Sequence, residues 1–163
     1  IPGSEPTSVF LAGNADLDAL LPAQGVYLDA DDALMQQLLA MREAVSKVLE
    51  PMRAEGRIGA ALQAEATVYP DGIDVAAMPG LQDELRFLFI TSSLAVQPEN
   101  SAGSDAIAVE GTPFKVLANV SKHGKCVRCW HYVESVGQDA HDPELCGRCI
   151  VNVNGAGEVR RYF

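Results

Sequence analysis

The sequence predicts an α+β fold: a long amphipathic helix, a small mixed sheet, and a compact module built on four cysteines. Three observations predict it. Leu34, Leu38, Met41, Val45, Val48 and Met52 recur at alternating spacings of four and three, which is one apolar stripe along a helix. Short apolar or alternating runs follow between residues 62 and 120, punctuated by Pro, Gly, Asp and Asn. All four cysteines then fall between positions 126 and 149.

At 163 residues the chain is long enough for one ordinary domain and a small appendage. Its 48% apolar and 21% charged residues are a globular composition, not a disordered one. No apolar run approaches the roughly 20 residues needed to cross a bilayer, so no spanning helix is expected. The chain starts at Ile1 with no basic-then-apolar leader, which reads as a processed chain or a piece of a longer one.

Residues 1–30 are rich in Pro, Gly, Asp and Ala and read as a connecting arm, with short apolar runs at Val9–Leu11 and Val26–Leu28 and room for a helical turn at Asp16–Leu21. Residues 31–120 read as the α+β layer. Asp31 or Asp32 can cap the long helix and complement its dipole. Pro51 is expected to kink or break it, and Gly56 and Gly59 to stop it. Leu62–Tyr69 alternates, with Leu62, Ala64, Ala66 and Val68 on one side, and predicts a half-buried strand ended by Pro70-Asp71-Gly72. Pro79–Arg86 predicts a short helix. Phe87–Ile90 is an apolar run of buried-strand length, and Leu94–Val96 a short strand. Pro98–Gly103 reads as a turn. Ile107–Val109 and Phe114–Val120 complete the strands, with Phe114, Val116, Ala118 and Val120 sharing a face. Residues 121–163 form the cysteine module.

The cysteines read Cys126-Val-Arg-Cys129, sixteen residues, then Cys146-Gly-Arg-Cys149. This is the two-knuckle spacing of a zinc site. Each knuckle turns tightly enough to aim two sulfurs at one point, and two knuckles supply four tetrahedral thiolates. Gly147 is expected to ease the second turn by taking positive φ. The spacer is long enough for a short hairpin that returns the second knuckle to the first. Four sulfurs close the coordination sphere, leaving no position for an activated water, so one structural Zn²⁺ is expected. Its four thiolates leave a formal charge of −2, which Lys125, Arg128 and Arg148 can offset. A redox CxxC needs one pair at a helix start in a βαβ unit; two pairs and no such unit are read here. A framework of disulfides would be spread through the fold, not clustered. An iron–sulfur site is the remaining alternative. His123, His131 and His141 read as surface or packing residues beside four available sulfurs.

Net charge is −10, but unevenly distributed. Residues 1–114 carry five basic and 17 acidic residues, a net of −12; residues 115–163 carry seven and five, a net of +2. Phosphate contact needs a local positive field, so the C-terminal part permits nucleic-acid contact and the rest does not favour it. Trp130, His131 and Tyr132 follow the first knuckle, where aromatic faces could stack on unpaired bases. Trp130 could equally fill the core of a tiny module. Arg160 and Arg161 near the terminus are either phosphate contacts or a solvated tail. The candidate RNA-binding residues are therefore Lys125, Arg128, Trp130, His131, Tyr132, Arg148, Arg160 and Arg161. Asp29, Asp31 and Asp32 lack calcium-loop spacing, and no glycine-rich phosphate loop or nucleophile arrangement is present.

Lys125-Cys126-Val-Arg-Cys129-Trp130-His131-Tyr132, Leu145-Cys146-Gly147-Arg148-Cys149, and the Asn- and Gly-containing stretch before a basic end resemble the C-terminus of bacterial isoleucyl-tRNA synthetases. Arg42–Val48, Arg53–Leu62, Glu65–Tyr69 and Asp83–Phe87 resemble the same family's region ahead of that module, so the resemblance covers about residues 31–163. It implies a cytoplasmic, monomeric parent enzyme that uses ATP and Mg²⁺ to attach isoleucine to its tRNA. It implies Cys126, Cys129, Cys146 and Cys149 as ligands of one zinc, and as partners the tRNA near its anticodon and the remaining body of the synthetase. The family's HIGH and KMSKS signatures are missing from this sequence, so the 163 residues alone are expected to be inactive. Formamidopyrimidine-type DNA glycosylases close with a similar finger and are the alternative resemblance, but their catalytic Pro-Glu start is not matched by Ile1-Pro2-Gly3. A zinc protein-interaction module with no RNA role is a third reading.

Overall fold

The structure, a computed structural model, describes residues 29–71 and 81–160, with side chains from residue 33 onward. Residues 1–28 of the expected arm over 1–30, Gly72, Pro79 and the terminal Arg161, Tyr162 and Phe163 lie outside the described residues, and the arm's last two positions, Asp29 and Ala30, begin the long helix instead. The chain divides into two compact units, residues 1–36 and 37–163. Of the first, the opening turns of a helix are described; the second carries everything below.

Helix α1 runs Asp29–Ala54. Its stripe is the one read from the periodicity: Leu38, Met41, Val45, Val48 and Met52 are buried, joined by Ala44 and Leu49. The helix is not broken at Pro51, which lies inside it. Pro51 and Lys47 are both exposed, so water can satisfy the Lys47 carbonyl that Pro51 cannot bond. Gly56, at φ +73, ends the helix. The Arg57 amide bonds the Met52 carbonyl at 2.9 Å and the Gly56 amide that of Arg53 at 3.0 Å, a Schellman closure.

The sheet has four strands, β1 (Ala64–Pro70), β2 (Ser93–Val96), β3 (Ile107–Ala108) and β4 (Phe114–Val120), in the order β2-β1-β4-β3. β1 pairs with β4 and β3 with β4 antiparallel, while β1 and β2 are parallel. The sheet is therefore mixed, as expected. Ala64, Ala66 and Val68 form the buried face of β1, whereas Leu62 sits in a short 3-10 turn ahead of it. On β4 the predicted inward face holds at Phe114 and Val116 but opens towards Val120, which is 39% exposed.

Helix α2 (Leu81–Phe89) crosses between β1 and β2 and absorbs most of the run read as a strand at Phe87–Ile90. Leu81, Glu84, Leu85 and Phe89 are buried, at helical spacing. A short apolar run cannot by itself separate helix from strand. Ile90 is instead the left-handed stop of α2, at φ 57 and 49% exposed, with the Thr91 amide bonded to the Arg86 carbonyl. The parallel β1–α2–β2 connection is also a βαβ unit, which the sequence reading did not find; the cysteines lie outside it.

Ser92, 1% exposed, ties the layer to the cysteine module. Its amide donates to the Ala64 carbonyl and its hydroxyl to that of Leu62, while the hydroxyl oxygen accepts the Tyr132 amide at 2.6 Å. The Gln63 side chain donates to the Tyr132 hydroxyl at 3.2 Å, and Ser121 bonds Glu65 at 2.6 Å.

Candidate metal centre

The first knuckle is a tight loop closed by Lys125 and Tyr132, which form an antiparallel bridge. Inside it, the Trp130 amide donates to the Cys126 carbonyl and the Cys126 amide to the His131 carbonyl, each at 2.9 Å. Trp130 completes the loop in the left-handed region, at φ 66. The second knuckle opens helix α3 (Gly147–Asn154), with Cys146 as its N-cap and Cys149 in its first turn. Gly147 is thus not at positive φ: it begins a helix, and its amide donates to Ser135 Oγ at 3.1 Å. The left-handed residue of the site is Trp130, in the other knuckle.

The spacer returns the second knuckle without the expected hairpin. It is a succession of turns, with Val136 bonded to Val133, Gln138 to Ser135 and Leu145 to Asp142. A bond from the Val127 amide to the Glu144 carbonyl at 3.1 Å stitches the two knuckles together. Around them the module's small core consists of Cys126, Cys146 and Cys149 with Cys129, Val133, Val136 and Leu145 packed on it.

This brings all four sulfurs within 4.8 Å of one another. Cys129 and Cys146 are 3.7 Å apart, against about 3.8 Å for two thiolates on one tetrahedral Zn²⁺ with bonds of about 2.3 Å. All four cysteines are free, not cross-linked. The four-cysteine cluster forms a zinc-binding site, and its donor set suits one ion.

The sulfurs differ in their electrostatics. Burial raises the Cys126 thiol, but bonds from the Cys129, Cys146 and Arg128 amides outweigh it and bring it down to about 6. Burial and the neighbouring sulfurs push Cys146 up to about 12, and burial also raises Cys149. Four clustered thiolates repel each other and resist desolvation, and a divalent cation reverses both effects.

The other candidate residues separate into groups. Trp130 is 59% exposed and lies outside the module's core. Lys125 Nζ lies 5.0 Å from the centre of its ring. Trp130 and Tyr132 border a pocket of about 220 Å³ with Ala60, Leu62 and Gln63. Tyr132 is half-buried and its hydroxyl is occupied by Gln63. His131 packs edge-on against Phe87, at 5.6 Å between centroids. Burial, with the charges of Arg86, Arg148 and Arg160 adding to it, depresses its pKa below 6.5 despite a bond to the Cys129 carbonyl. Arg128 reaches Cys149 at 3.6 Å. Arg86, Arg148 and Arg160 gather around the Phe87 ring at 5.0, 5.1 and 4.1 Å. Glu158 accepts Arg148 and Arg160 at 2.8 Å each, and although burial opposes it, these bonds with one from Asn152 hold Glu158 at about 2. Arg160 is therefore part of a folded clasp. Arg161 lies beyond the described residues. The sequence does not mark Arg86, Phe87, Gln63 and Ser92, because each acts through partners distant in the chain, nor Glu158, whose nearby partners Arg148, Asn152 and Arg160 share no regular spacing with it.

Two cysteine knuckles closing on one buried point define a four-cysteine zinc finger, and residues 124–151 match the family described as the zinc finger found in FPG and IleRS. The likeness extends well beyond the finger. All 163 residues are 46% identical to a region of isoleucine–tRNA ligase from Xanthomonas campestris pv. campestris (strain B100), and 47% identical to one from Stenotrophomonas maltophilia (strain K279a). The Xanthomonas oryzae pv. oryzae (strain MAFF 311018) ligase is 46% identical over the same span. The chain spans 16% of the length of these curated relatives. It corresponds to a region of bacterial isoleucine–tRNA ligase that carries the FPG/IleRS finger. No described helix is long and apolar enough to cross a membrane.

Proposed function

We propose that this chain is the tRNA-contacting part of a cytoplasmic isoleucine–tRNA ligase, with Cys126, Cys129, Cys146 and Cys149 holding one structural zinc and Trp130 offering its face to an unpaired base. The parent enzyme, with ATP and Mg²⁺, attaches isoleucine to its tRNA; this region contributes grip, not chemistry. Residues 31–120 serve as the joining layer and 121–163 as the RNA-facing module.

Trp130 carries the reading. It is a large indole that the finger's core does not use, 59% exposed and held in a backbone region that L-residues avoid at a cost of roughly 1–2 kcal/mol. An exposed aromatic kept at a strained position is better explained by a ligand than by packing. Lys125 beside the ring adds a cation for the adjacent phosphate. His131 and Tyr132, turned into the layer, support the platform rather than face RNA.

Trp130 is the sole tryptophan of the 163 residues, so its emission reports on this contact directly. Adding isoleucine tRNA should quench it, and Trp130→Ala should weaken binding by roughly 5- to 150-fold, the equivalent of about 1–3 kcal/mol per stacked base. Unchanged emission and affinity would remove the reading. Equal affinity for duplex DNA bearing an abasic site would favour a glycosylase-like grip instead.

A further inference from the structure

The four sulfurs obtain their N–H partners in two different ways. The first cysteine of each knuckle is served by backbone. The Cys146 amide donates to Cys126 at 3.4 Å, the Arg128 and Cys129 amides also favour the Cys126 thiolate, and the Cys149 amide favours that of Cys146. The second cysteine of each knuckle is served by a side chain from the opposite knuckle. Arg128 donates to Cys149 at 3.6 Å, and Arg148 lines one pocket with Cys129, where the sulfur favours its charged form. The arginine of each Cys-x-Arg-Cys therefore crosses the metal site to the last sulfur of the other.

Burial follows the same division with one exception. Cys126, Cys146 and Cys149 are buried, and Cys129 is the partly exposed member. It borders an open pocket of about 160 Å³ with Arg86, His131 and Arg148; Cys146 lines the same pocket but is buried. An N–H bond withdraws electron density from a thiolate and lowers its nucleophilicity, and a guanidinium does so with a full positive charge. Backbone amides do this whatever the side chains are. The two crossed arginines are the part of the shield that a substitution can remove.

We propose that Arg128 and Arg148 are positioning residues that guard the zinc-bound sulfurs of Cys149 and Cys129, and that Cys129 is the modification site at which soft electrophiles open the centre. The sulfur lone pair attacks the carbon of an alkyl halide, the new sulfur–carbon bond forms, and halide leaves. The resulting neutral thioether is a poor ligand and the zinc is released. This assignment concerns the metal site alone and holds independently of any RNA contact. It also commits both arginines to sulfur rather than to phosphate.

The test is zinc-loaded protein treated with substoichiometric iodoacetamide, with released zinc followed by a chromophoric chelator and the alkylated cysteine located by peptide mass mapping. Cys129 should be modified first. Arg148→Ala should speed zinc release roughly three- to tenfold through Cys129, the range expected on losing part of one charge-assisted bond. Arg128→Ala should do the same through Cys149. Because Arg148 also holds Glu158, Glu158→Ala controls for loss of that clasp and should leave release near the unsubstituted rate. Arg128, exposed and bonded to sulfur, keeps the test open if Arg148→Ala fails to fold. First modification at Cys126 or Cys146, or unchanged release in Arg128→Ala, overturns the proposal.

Discussion

Replacing Trp130 by Gly and by Ala separates what its backbone costs from what its ring does. Both variants lose the ring. About two-fifths of Trp130 is covered, since 59% is exposed. For an indole that can bury about 200 Å², this is worth at most about 2 kcal/mol. The Lys125 contact adds roughly 0.5–1 kcal/mol at an exposed site. Ala keeps the left-handed strain at φ 66, whereas Gly relieves about 1–2 kcal/mol of it and loses about 0.4–1 kcal/mol to a freer unfolded chain. The glycine variant should therefore be more stable than the alanine variant by roughly 0.5–1 kcal/mol, the reverse of the order in a helix. In tRNA binding the two should be equally weak. Urea unfolding of the zinc-loaded proteins gives the first comparison, and anisotropy of labelled isoleucine tRNA the second. An alanine variant as stable as the glycine one would refute the strain argument. A glycine variant that binds tRNA normally would refute the stacking role.

Further perturbations probe the joints around the site. Ser92→Ala leaves the part-buried Tyr132 amide without its acceptor and should cost about 1–2 kcal/mol in urea unfolding, loosening the module from the layer. Ile90→Gly should be more stable than Ile90→Ala, because both lose the half-covered side chain and only glycine relieves the strain at φ 57; Gly56→Ala should lower stability by about 1 kcal/mol by the same rule. His131 is held neutral below its ordinary value of 6.5. The unfolded chain takes up the proton first, so its contribution is complete above pH 6.5 and is lost as pH falls towards the folded value. His131→Asn should flatten that slope relative to the unsubstituted protein, a difference in which the acid lability of the zinc cancels.

The helix and the four-cysteine cluster were legible because each rests on local spacing. The stripe from Leu38 to Met52 and the two CxxC turns need no knowledge of distant residues. The run Phe87–Ile90 was misread because four apolar residues suit a buried strand and a helix end alike; the left-handed Ile90 that ends α2 leaves no mark in composition. A glycine in a knuckle suits positive φ, but at Gly147 the knuckle leads into a helix and the left-handed turn falls to Trp130. The clasp of Arg148, Arg160 and Glu158 around Phe87 joins positions more than sixty residues apart in sequence, and no periodicity records such a meeting. For Trp130 the sequence leaves packing and stacking open; in the structure it is 59% exposed and outside the module's core.

X-ray absorption at the zinc edge, with elemental analysis of the same sample, tests the central claim most directly. One zinc per chain surrounded by four sulfurs at about 2.3 Å is the expected result. A shell containing nitrogen or oxygen, iron in place of zinc, or a folded protein that retains no metal under reducing conditions would contradict it.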